Sequence, residues 1–75
     1  MPRLPRITAK QAEKVICKIG FELRRQNGSH KIFWNATLDK RITLPFHGHK
    51  IIHPKIMRDI IRDSGISSEE FVDLI

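Results

Sequence analysis

Four histidines, His30, His47, His49 and His53, are the side chains of this 75-residue chain best suited to proton chemistry near neutral pH. His30 stands in the run Asn27-Gly28-Ser29-His30-Lys31, where a turn signal opens directly into a strand pattern. If that turn is a two-residue hairpin, His30 lies opposite Arg25 across the ladder. An imidazole there can accept or give a proton during phosphodiester cleavage, and Arg25, Lys31 or Lys50 can stabilise the charge that builds on phosphorus. On RNA this reaction needs no metal, because the ribose 2'-hydroxyl is an internal nucleophile. The same position equally suits a rim histidine that only satisfies a hydrogen bond, and spacing does not separate the two readings.

The second constellation is His47-Gly48-His49-Lys50, followed by His53. Three imidazoles so close together raise a metal site. Yet the stretch holds no Asp, Glu or Cys to complete a tetrahedral set, and its spacing matches no familiar zinc motif. No metal and no cofactor is expected. A phosphate-facing loop fits the pattern: Gly48 lets the backbone come close, Lys50 supplies charge, and the helix that follows adds its dipole and amides. In the alternative, Gly48 merely turns the chain and His53 caps the helix. Of the adjacent Phe33 and Trp34, strand geometry sends one to the core and the other to the opposite face, where base stacking or rim packing are both open to it. Cys17, beside the apolar stripe of a helix, reads as a small hydrophobe rather than a thiolate.

Several elements must hold these residues in place. Thr8 and Gln11 have capping-box spacing, and Ala12, Val15, Ile16 and Ile19 recur at helical intervals, so a helix is expected over about 9–19. Residues 21–26 alternate as a strand, Asn27-Gly28 turns, and 29–34 form a second strand. A third, over 41–44, ends at Pro45. Pro54 suits a first helical position, and Ile56, Met57, Ile60 and Ile61 form a stripe that runs to Gly65. Ser67 and Glu70 make another capping box, before a short helix that buries Phe71, Leu74 and Ile75. The order αβββαα predicts an α+β fold, a three-stranded antiparallel sheet with helices on one face, in a single domain over 1–75.

The chain is basic, with 14 Lys and Arg against 8 Asp and Glu. The charge is also uneven. Residues 1–58 carry 13 basic and 3 acidic side chains, a net of +10, whereas 59–75 carry 1 and 5, a net of −4. A polyanion is the partner such a surface attracts. No stretch is long and apolar enough to span a membrane, and Met1 to Arg6 lack the apolar core of a signal peptide, so a cytoplasmic location is expected. A single cysteine forms no internal disulfide, which suits a reducing compartment.

The runs Gly20-Phe21 through Arg25-Gln26, Gly28-Ser29-His30, and Ile42-Thr43-Leu44-Pro45-Phe46-His47-Gly48, with the Pro54-led helix that ends in Gly65-Ile66-Ser67 and then Glu70-Phe71, together resemble the HicA family of bacterial toxins. The resemblance covers nearly the whole chain. It implies a double-stranded-RNA-binding-domain-like fold and the toxin of a type II toxin-antitoxin system. Such a toxin is an mRNA interferase, an endoribonuclease that cleaves mRNA and so blocks translation, and a HicB antitoxin masks it. It also places the family's catalytic histidine on His30, with Gly28 and Ser29 completing that motif and His47 and Gly48 in a supporting segment. RNA contacts are then expected from Arg25, Gly28, Ser29, Lys31, His47, Gly48 and Lys50. A rival reading, from the same charge and fold, is a module that binds double-stranded RNA without cutting it.

Overall fold

The computed structural model describes residues 4–75, so the part of the N-terminal reading that rests on residues 1–3 lies outside the described residues. Helix α1 spans Ala9–Lys18. Its start is fixed reciprocally: the Gln11 amide donates to Thr8 Oγ1 at 3.3 Å, and the Thr8 amide donates to Gln11 Oε1 at 3.0 Å. A cap of this kind is worth about 1 kcal/mol. Ala12, Val15 and Ile16 turn inward from α1 to the core. Helix α2, Pro54–Ser64, begins on proline and ends at Gly65 in a left-handed conformation. The short α3, Ser68–Asp73, carries the second capping box, on Ser67 and Glu70.

Between α1 and α2 lie β1 (Glu22–Asn27), β2 (His30–Asn35) and β3 (Lys40–Pro45). They pair antiparallel in the order β1-β2-β3, with β2 in the centre. The expected order αβββαα and the helices on one face are both present. Phe33 of β2 and Ile42 and Leu44 of β3 point to the helices, where they meet Phe21, Met57 and Phe71 in the core. Among the described residues no helix covers the opposite face.

Two details of the sheet differ from the sequence reading. The hairpin turn is Gly28-Ser29 rather than Asn27-Gly28, so the pairs are Asn27 with His30 and Arg25 with Ile32. Arg25 therefore does not stand opposite His30. The positive φ falls on Gly28 (62°) and not on Ser29, the pattern of a two-residue turn that demands glycine only at its first position. The second difference is a bulge in β1 between Leu23 and Arg25. The extra residue breaks the alternation expected there, and all six residues of β1 are exposed.

The buried Asn35 at the end of β2 ties two connections to the sheet. Its Nδ2 donates to the Ile19 carbonyl at 3.2 Å and its Oδ1 accepts from the Leu38 amide at 3.0 Å. Close approach explains Gly20, whose φ is +105°: a Cβ there would come within 3.1 Å of Asn35 Nδ2. Asn35→Ala leaves a carbonyl and an amide without their partner, and is expected to cost about 1–3 kcal/mol. A urea unfolding midpoint equal to wild type would show that these bonds contribute nothing.

Candidate functional site

Alternation along β2 sends Lys31, Phe33 and Asn35 towards the helices and His30, Ile32 and Trp34 to the open face. His30 is the first residue of the strand and is exposed. Its neighbours across the ladders are Asn27 and Pro45. The turn before it is braced from both sides: the Phe46 amide donates to the Ser29 carbonyl at 2.7 Å, and Gln26 Nε2 donates to the Gly28 carbonyl at 3.2 Å. A Cβ on Gly28 would meet nothing within 4 Å, so its requirement is conformational and the space outside the turn is free.

His30 lines an open cleft of about 510 Å³ along the outer edge of β3. Arg41, Thr43, Pro45 and His47 continue the wall on the sheet side, and Ile56, Asp59, Arg62 and Asp63 of α2 face them. The two imidazoles thus share one cleft. The carboxylates on the far wall are held by their own cation, with Arg62 Nη1 3.2 Å from Asp59 and Arg62 Nε 3.3 Å from Asp63. The hydrogen bond to Asp63 and the charges of Asp63 and Asp59 raise the pKa of the Arg62 guanidinium above its ordinary value. That pairing offsets one of the two negative charges an incoming phosphate would meet on this wall.

The other residues expected to touch RNA are dispersed. Lys31 is on the helix side, 3.6 Å from Glu13 and 4.3 Å from the centroid of the Phe46 ring. It is therefore on the opposite sheet face from His30. Arg25 stands on the open face farther along the sheet, paired with Ile32. Gly48, with φ 61°, turns the chain so that the Lys50 amide donates to the His47 carbonyl at 3.2 Å, and a Cβ on Gly48 would also meet nothing. Lys50 and His49 are exposed on that turn. The amide of Ile52 donates to the Ile7 carbonyl at 2.9 Å, which pins the loop to the segment before α1.

His53 is the cap of α2. Its Nδ1 accepts from the Lys55 amide at 3.1 Å, and Pro54 has no N–H to offer, so the helix start presents fewer free amides than a phosphate site would use. Cys17 is exposed, not packed as a small hydrophobe. Local desolvation, then the Glu13 charge, raise its thiol pKa against the lowering effect of Lys31, which disfavours a thiolate. Among the described residues no three His, Cys, Asp or Glu side chains gather where a metal ion could bind. No helix of the described residues is long and apolar enough to cross a membrane.

Arg41, Thr43 and the α2 residues were not singled out by sequence. The alternation of β3 did carry the signal for the first two, which must face away from Ile42 and Leu44. The α2 wall depends on how the helix packs beside β3, which no local pattern specifies.

A three-stranded antiparallel sheet backed by helices, in the order αβββαα, is the double-stranded-RNA-binding-domain-like fold. The chain belongs to the HicA toxin family of bacterial toxin-antitoxin systems, whose pattern matches residues 9–66. No curated protein matches it.

Proposed function

We propose that this toxin is a metal-independent endoribonuclease that cleaves mRNA and thereby inhibits translation. The single observation that carries the reading is the exposed His30, fixed at the first residue of β2 in a cleft that it shares with His47. In the proposed reaction His30 takes the proton of a ribose 2'-hydroxyl, the 2'-oxygen bonds to phosphorus, and the bond to the 5'-oxygen breaks. In this reading His47 returns a proton to that leaving oxygen. Arg41 on the cleft wall, and Lys50 three residues after His47 on the adjoining turn, are the cations this reading assigns to the charge on phosphorus. Gly28 and Ser29 hold the turn, and Arg25 extends the basic surface. Lys31, turned to the helices, steadies the sheet rather than the RNA.

The partner in this reading is a HicB-type antitoxin. The basic open face of the sheet, with Arg24, Arg25 and Arg41, invites an acidic protein, and charge complementarity speeds such an encounter.

The test is incubation of the purified protein with a labelled RNA in excess chelator, followed by end-group analysis. A 2',3'-cyclic phosphate and a 5'-hydroxyl are expected. A 5'-phosphate would point to an activated water and overturn the mechanism. Intact RNA held in a stable complex would favour the rival, a non-catalytic double-stranded RNA-binding module. His47→Ala is expected to slow cleavage by at least about 10-fold, short of the roughly 10²- to 10⁴-fold of a principal proton-transfer group. An unchanged single-turnover rate would reduce His47 to a wall of the cleft.

A further inference from the structure

We infer that the open face of the sheet holds a second subsite, a platform on which Trp34 stacks a base of single-stranded RNA next to the cleavage cleft. The inference rests on the ribonuclease reading and specifies the form of RNA that the enzyme takes. Trp34 is half-buried on the open face, in a shallow groove of about 310 Å³ that Arg24, Arg25, Ile32 and Arg41 complete. The β1 bulge brings Arg24 to the indole, with its Cζ 6.0 Å from the ring centroid. Among the described residues none of these arginines is in a salt bridge, and the acid nearest in register is Glu22, opposite Trp34 at the far end of β1.

An aromatic face ringed by free guanidinium groups suits a base and its flanking phosphates. A base stacks on the indole in place of the Arg24 guanidinium, or on that planar group itself, while Arg25 and Arg41 take phosphates. A duplex keeps its bases within the helix, so it cannot use a ring lying in a sheet groove. A splayed strand can.

Arg41 lines both this groove and the His30 cleft, so the two adjoin across its side chain. His30 and Trp34 are four residues apart on β2, about 13 Å at roughly 3.3 Å per residue. At roughly 3.4 Å per stacked nucleotide, that is a span of no more than about four nucleotides. The stacked base therefore lies a few positions from the cut bond, where it would set the register of cleavage.

Trp34 is the sole tryptophan, so its emission reports on this groove alone. The experiment titrates the wild-type toxin with a 2'-O-methyl pyrimidine RNA of roughly eight nucleotides, within the span of known single-strand sites. This probe has no 2'-hydroxyl, so it stays intact whatever His30 does. Saturable quenching is expected, with a duplex of the same length giving much less. Label anisotropy should show Trp34→Leu weakening binding by about 5- to 150-fold, the equivalent of roughly 1–3 kcal/mol of stacking, and Trp34→Phe recovering most of it. Arg25→Gln and Arg41→Gln should each flatten the plot of log affinity against log salt by about 0.7.

Unchanged Trp34 emission and unchanged affinity of Trp34→Leu, with the oligonucleotide bound, would overturn the platform. So would quenching by an acidic protein partner but not by RNA, which would make this face a protein-docking surface. Cleavage of ordinary RNA beside a silent Trp34 sinks the platform and leaves the ribonuclease standing. Quenching without any cleavage does the reverse.

Discussion

His30→Ala is expected to lower the rate of RNA cleavage by about 10²- to 10⁴-fold, the range for loss of a positioned proton-transfer group. The protein should remain folded. His30 is exposed at the end of a strand and is not one of the buried core residues, and surface substitutions of this kind usually shift stability by no more than about 0.5 kcal/mol. His30→Gln separates proton transfer from hydrogen bonding, since an amide keeps donors and an acceptor but does not exchange a proton in the same way. It should be as inactive as the alanine variant. If His30→Gln retained most of the activity, His30 would be orienting RNA and another group would handle the proton.

Phe33→Ala is expected to have the largest effect on stability. Phe33 is fully buried at the centre of β2, where it joins the sheet to the helices. Removing a buried phenyl ring costs about 3–5 kcal/mol. Native domains hold about 0.05–0.15 kcal/mol per residue, so a chain of 75 residues has only about 4–11 kcal/mol to lose. Much of the variant should be unfolded at 37 °C, with the cooperative transition by circular dichroism shifted far down or absent. Trp34→Ala, next along the strand but on the open face, should lose much less. Equal melting of the two variants would contradict the assignment of faces in β2.

The helices were legible because their ends are chemical. Thr8 with Gln11 and Ser67 with Glu70 form the capping boxes that their spacing promised, and Pro54 and Gly65 bound α2 as expected. The strands were legible as strands but not in register. Asn27-Gly28 and Gly28-Ser29 are both acceptable two-residue turns, and the choice moves every partner by two residues, which puts Asn27 rather than Arg25 opposite His30. The β1 bulge then moves the partners by one residue more, so that Phe33 pairs with Leu23.

In the site, the turn and strand that present His30 could be read directly. Its surroundings could not. The pairing with Arg25 failed with the register, and Lys31 went to the helix side because it shares a face with Phe33. Cys17 follows Ile16 by a single position, far enough around α1 to leave the buried stripe. The cap by His53 was one of two open readings, and the α2 wall of the cleft depended on packing alone.

The most direct test of a metal-free ribonuclease that depends on His30 is a side-by-side incubation of wild type and His30→Ala with one labelled RNA in excess chelator, read on a gel. Cleavage by the wild type and intact RNA with the folded variant is the predicted result. Cleavage by His30→Ala at the wild-type rate, or no cleavage by a folded wild type that binds the RNA, would contradict it.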